Sequence, residues 1–161
     1  MIKDLINKKI TVLGAGRSGI GIAKLLKKNN AKVFVSDSSP KEKLMYFDET
    51  VFQKYSIEYE TGRNSDKIYD SDIFVVSPGI PPNSEILKRA AKKNIKIISE
   101  VEVSSYFCEV PIIAITGTNG KTTTTELTGA ILREAGYDVH VCGNVGLAFS
   151  EIIPKLSSDS I

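Results

Sequence analysis

Short apolar runs alternate along the chain with segments in which apolar residues recur every three or four positions. That alternation predicts buried strands joined by amphipathic helices, the rhythm of a parallel sheet with crossover helices. Residues 10–13 (ITVL) read as a first strand, and a helix follows over about 18–29, with Ile20, Ala23, Leu25 and Leu26 on its apolar stripe. KVFVSD (32–37) reads as a second strand, after which Ser39-Pro40 starts a short polar helix. SIEYETG (56–62) is a weaker strand and DIFVVSPG (72–79) a strong one. SPGIPP, with prolines at 78, 81 and 82, is a rigid loop, because proline lacks the N–H donor and fixes its own φ. Asn83 or Ser84 then caps a helix to about Asn94, and IKIIS (95–99) is the next strand.

A new unit begins near residues 108–111, between the amphipathic EVEVSSYF and a fresh apolar run, IIAIT (112–116). This unit is expected to run strand, loop, helix (about 121–135), strand YDVHVC (137–142) and loop GNVG, with a polar, frayed tail PKLSSDSI. Two strands cannot cover both faces of a parallel sheet, so it reads as incomplete. The expected fold class is α/β.

Composition narrows the function classes. Hydrophobic residues at 42% and charged residues at 25% are those of an average globular protein, and a net charge of +2 asks for neither nucleic acid nor an anionic membrane as partner. Cys108 and Cys142 lack metal-ligand spacing and read as inert small apolar residues. The single histidine, His140, reads as structural. The N-terminus has no signal-peptide pattern and no stretch approaches the length of a spanning helix, so a cytoplasmic home is expected.

Two glycine-rich loops carry the chemistry. GAGRSG (14–19) lies between strand and helix, and Asp37 ends the second strand, which is the dinucleotide-binding fingerprint. Gly14 permits the tight turn, Gly16 the close approach of a diphosphate, and Gly19 the packing of helix on strand; Asp37 would accept hydrogen bonds from a ribose or a base. The pattern alone does not choose between a nicotinamide dinucleotide and another nucleotide diphosphate. GTNGKT (117–122) stands in the context a phosphate loop requires. Gly117 and Gly120 let backbone N–H groups converge on phosphate oxygens at a helix N-terminus, Lys121 adds a mobile charge for the terminal phosphates, and the hydroxyl of Thr122 can reach Mg2+. It is a shortened variant, with Ile115 where the common loop has its first glycine.

VLGAGRSG, SPGIPPNSEIL, IISEVEV, IAITGTNGKTT and GNVGLA together resemble the Mur ligases and, within them, the branch that adds D-glutamate, over residues 8 to 153. The resemblance implies a Rossmann-like N-terminal domain (1–108) that binds the UDP part of the substrate, followed by the start of a P-loop ATPase α/β domain (109–161). It implies a cytoplasmic ligase of peptidoglycan synthesis, monomeric at full length. ATP phosphorylates the carboxylate of UDP-N-acetylmuramoyl-L-alanine, and the amine of D-glutamate attacks the acyl phosphate. By similarity Gly16, Arg17, Ser18, Asp37, Ser38 and Ser39 would hold uracil and ribose, and Ser77, Pro78, Gly79, Gly143 and Asn144 would line the diphosphate-sugar region. Gly117, Thr118, Asn119, Gly120, Lys121, Thr122 and Thr123 would hold ATP, with Thr122 on Mg2+ and Lys121 as the candidate catalytic residue.

Family members continue for hundreds of residues, supplying a magnesium-binding glutamate, a histidine, a modified lysine and an amino-acid-binding domain. The chain therefore reads as a front fragment, inactive in ligation by itself and able to self-associate through an unfinished sheet. The rival readings are a nicotinamide-dependent oxidoreductase domain and a nucleotide-binding module without chemistry.

Overall fold

A computed structural model describes residues 5–143 and 146–161. Five parallel strands form one sheet in the order β3-β2-β1-β4-β5: β1 (Lys9–Leu13), β2 (Lys32–Asp37), β3 (Glu58–Thr61), β4 (Ile73–Val76) and β5 (Lys96–Ser99). The α/β expectation is met, and each of the five runs anticipated between residues 10 and 99 contains one strand. β1 is central and buried on both faces, which is why it reads as a continuous apolar run and not as an alternation.

Helices cover both faces. α1 (Arg17–Lys28), α2 (Glu49–Lys54) and α4 (Glu100–Ser105) enclose a core around Ile10, Val12, Ile22, Leu26, Val35, Phe52 and Val103. On the other face α3 (Glu85–Lys92) and a 3-10 turn at Asp66–Tyr69 close over Leu13, Ile68, Phe74, Leu87 and Ala90. The returns from helix to strand share one device. Asn30, Ser56 and Asn94 adopt positive φ just beyond α1, α2 and α3. The next residue, Ala31, Ile57 or Ile95, is buried and donates its N–H back to Leu26, Phe52 or Ala90. Those bonds satisfy helix-end carbonyls while turning an apolar residue inward, as in a Schellman closure.

Four sequence-based expectations need correction. Residues 112–116 form no strand, and Ile112 and Ile113 are half exposed. Residues 137–142 make only isolated bridges, Asp138 with Ser160 and Cys142 with Leu147. An apolar run becomes a strand only when a neighbour takes up its backbone hydrogen bonds, and among the described residues these two runs find no ladder. The tail, conversely, is tied down. Ser160 is buried, its hydroxyl and that of Ser157 donate to the Asp138 carboxylate, and the Ile161 N–H donates to the Asp138 carbonyl. Ser84 occupies the N-cap of α3 by position, but its buried hydroxyl makes no cap bond. The helix at 121–135 appears as α5 (Lys121–Glu134), and a short α6 (Phe149–Ile152) packs on α1 and α4.

Two outcomes follow from these contacts. A Cβ at Gly19 would lie 1.8 Å from the Gly14 carbonyl oxygen, so Gly19→Ala forces backbone apart; it should cost about 3 kcal/mol or more, roughly 6 to 12 °C in Tm by thermal denaturation. The Ser160 hydroxyl, helped by His140, holds the Asp138 carboxyl below its ordinary range. With the folded pKa below the unfolded one, this contribution is complete above about pH 4 and is lost as pH falls through the native value. Asp138→Ala should therefore raise amide exchange over residues 157–161 at neutral pH and leave β1–β5 unchanged.

Candidate functional site

β1 lies between β2 and β4, so the connections leaving the C-terminal ends of β1 and β4 diverge there and open a crevice. Three loops descend into it: Gly14–Gly19 after β1, Asp37–Ser39 after β2, and Ser77–Ile80 after β4. A fourth segment, Gly143 and Gly146 to Ala148, closes the far side, giving a cleft of about 530 Å³. Ten sequence-predicted substrate residues line it together: Gly16, Arg17, Ser18, Asp37, Ser38, Ser39, Ser77, Pro78, Gly79 and Gly143. Asn144 lies outside the described residues.

The glycines are there for different steric reasons. Gly14 has φ +100 and faces the Ser77 hydroxyl, which a Cβ would meet at 2.9 Å. Among the described residues nothing lies within 4 Å of the Gly16 Cβ position, so its bare backbone faces open space at the cleft. Beyond it α1 begins with no side-chain cap and no acidic residue in its first turn. The N-terminal N–H groups and the helix dipole are thus left for an anion.

Asp37 is oriented by backbone. Its two carboxylate oxygens accept from the Ala15 N–H (2.7 Å) and the Ser39 N–H (2.8 Å), so it staples the glycine loop to the end of β2. Each oxygen keeps lone-pair capacity for a ligand hydroxyl. Among the described residues the buried Ser77 hydroxyl makes no hydrogen bond. It is shielded beneath the glycine loop, 2.9 Å from the Cβ position of Gly14 and 3.2 Å from that of Gly19, while the residue lines the cleft.

Arg17 joins the two sides. Its guanidinium donates to the Gly146 carbonyl and to the Tyr46 hydroxyl, lies 4.5 Å from the Tyr46 ring centroid, and approaches the Glu151 carboxylate at 3.9 Å. Tyr46, Ile80, Gly146 and Ala148 are lining residues that the sequence reading did not single out. For Tyr46 the available signal was Phe47, which packs on Phe52 and Tyr59 and so pins an irregular stretch beside the cleft.

The second glycine loop stands apart on the surface. Residues 116–124 are exposed, Gly117 has φ +151, and Gly120, at φ +77, is the N-cap of α5. This is the left-handed backbone that glycine supplies at least cost. Thr118, Asn119, Thr122 and Thr123 lie on this exposed turn, and the Lys121 ammonium folds back to donate to the Gly117 and Thr118 carbonyls. Behind it an apolar cavity is lined by Cys108, Ile113, Ile115, Leu132, Val141 and Cys142, among others. Burial pushes the Cys142 thiol up, away from the reactive thiolate.

Residues 9–86 match the MurD N-terminal domain and residues 115–158 the Mur ligase middle domain. Among curated relatives, the UDP-N-acetylmuramoylalanine–D-glutamate ligase of Chloroherpeton thalassium is 37% identical across 99% of this chain, and that of Caldicellulosiruptor bescii 42% across 98%. The chain spans about 35% of the length of each. Of solved structures, the murein peptide ligase of Psychrobacter arcticus aligns with TM-score 0.53 at 24% identity, covering 82% of this chain and 28% of that one. The UDP-N-acetylmuramate-alanine ligase MurC of Thermotoga maritima gives 0.50 at 24%, over 82% and 30%. With both domain matches in their expected order on an α/β fold that these ligases share, the chain belongs to the Mur ligase family.

Proposed function

We propose that residues 1–108 form the UDP-substrate-binding domain, and 109–161 the beginning of the ATP-binding domain, of a cytoplasmic ligase that adds D-glutamate to UDP-N-acetylmuramoyl-L-alanine in peptidoglycan precursor synthesis. The observation that carries this reading is the convergence of the β1, β2 and β4 loops with Gly143 on one cleft. The start of α1 and the bare backbone at Gly16 suit a diphosphate. Asp37, pre-oriented by Ala15 and Ser39, suits the ribose hydroxyls. Ser77, Pro78 and Gly79 suit the diphosphate-sugar region, and Arg17 with Tyr46 suits the base.

The reaction class is amide formation through a carboxylate activated as an acyl phosphate, with ATP as phosphoryl donor. At the second loop the N–H groups from Gly117 to Thr123 would cradle the nucleotide phosphates. Lys121 would exchange its two carbonyl contacts for terminal phosphate oxygens and so oppose the charge that develops during transfer. Mg2+ keeps several waters and takes one or two protein ligands beside phosphate oxygens. The exposed Thr122 fits one such position, and among the described residues no cluster of three or more His, Cys, Asp and Glu offers a fuller cage. When bound, the ion would neutralise phosphate charge.

Calorimetric titration of the chain with UDP-N-acetylmuramoyl-L-alanine and with NADH tests the reading. Binding of the UDP substrate is expected, at least about tenfold weaker in Asp37→Ala, which loses charge-assisted hydrogen bonds. Gly16→Ala should weaken binding similarly yet shift Tm by less than about 2 °C, because its Cβ meets no atom of the described residues. Binding of NADH in place of the UDP substrate would return the glycine loop to a dinucleotide and sink the proposal.

A further inference from the structure

One wall of the cleft is not built by the sheet. Gly143, Gly146 and Ala148 belong to the segment leading into α6, and strand order does nothing to place them. Their position depends on where α6 sits. A helix of four residues has no stability of its own, so its docking decides its geometry.

That docking has a built seat behind the cleft. Ser150, 2% exposed, lies against α1 at Gly21, where a Cβ would fall 2.5 Å from the Ser150 hydroxyl oxygen. The Ser150 N–H donates to Glu100 Oε1 (3.3 Å), and that oxygen also accepts from the Ser104 hydroxyl (3.0 Å). Glu100 is itself 2% exposed, at the start of α4. Ile152, two residues beyond Ser150, is also buried. On the cleft side, Glu151 accepts from the Ala148 N–H (3.1 Å) and faces Arg17, whose guanidinium holds the Gly146 carbonyl.

We propose that Gly21, Glu100 and Ser150 form a docking seat that sets the far wall of the cleft. Gly21 and Glu100 are thereby positioning residues for ligand binding, although neither lines the cleft. Gly21 sits in the middle of α1, where glycine is a poor helix former and alanine would ordinarily stabilise. Its value here is the space it leaves for Ser150. The inference rests on the reading of the cleft as a nucleotide-sugar site.

The test uses Gly21→Ala, the double variant Gly21→Ala/Ser150→Ala, Glu100→Ala and Glu100→Gln, with two readouts: the Kd for UDP-N-acetylmuramoyl-L-alanine and amide exchange over residues 146–152. Gly21→Ala should weaken binding at least about tenfold, as overpacking of a tight contact does, and raise exchange in that segment. Removing the Ser150 hydroxyl leaves Ser150 Cβ at 3.4 Å and the Glu151 stem at 3.2 Å from the new methyl. The double variant should therefore recover to within about threefold of wild type. Glu100→Ala should match Gly21→Ala, while Glu100→Gln, which keeps an acceptor, should stay near wild type. Unchanged binding and exchange in Gly21→Ala, or failure of the double variant to recover, would overturn the seat. Were the wild-type chain to bind no UDP substrate, the reading of the cleft would fall. The seat would then be judged on exchange alone, with loss and recovery supporting it and unchanged exchange refuting it.

Discussion

The whole arrangement hangs on a backbone contact between the end of β1 and the first turn of α1. The Gly14 carbonyl lies so close to Gly19 that one added methyl group would overlap it. This approach lets the chain reverse within a few residues, so that α1 starts directly above the C-terminal end of the central strand. The helix N-terminus and the strand ends then face the same crevice, where an anion meets the dipole and unsatisfied N–H groups at once. A wider turn would move the helix start away from the crevice that the strand order creates.

Charge in the cleft follows from how its few ionisable groups are held. Asp37 is committed to two backbone donors, which fix its direction and leave it an acceptor for hydroxyl hydrogens. Arg17 is spread over a carbonyl, a phenol, an aromatic face and a carboxylate. The cleft thus combines helix N–H groups and a bare backbone with oriented side chains. That combination suits a ligand carrying both an anionic group and hydroxyls, as proposed for a nucleotide-sugar.

Much of this was legible in the sequence because parallel strands and glycine loops leave local signals. ITVL and IFVV are continuous apolar runs since both faces of those strands are covered, and GAGRSG with Asp37 located the crevice before any strand order was known. What stayed hidden was non-local. Tyr46 reaches the cleft through the anchoring of Phe47, and Gly146 and Ala148 through the docking of α6, neither of which has a periodicity to read. IIAIT failed in the opposite sense. Its apolar run satisfied the pattern for a strand, but pattern predicts which residues want burial and cannot guarantee the neighbour that supplies the ladder.

The two glycine loops therefore rest on supports of unequal stiffness. The first is framed by strands with both faces buried, and it has little freedom once the sheet has formed. The second opens α5, in which Gly129 is the only buried residue described, and its lysine is held by carbonyls of its own loop. Local opening is easiest where few apolar contacts must be broken, so motion should concentrate in the unit that carries the phosphate loop. α6 is the exception in that unit, because Ser150 and Ile152 are buried against the first. The wall it supplies to the cleft thus inherits the rigidity of α1 and α4, which separates the cleft from the mobility of the second glycine loop.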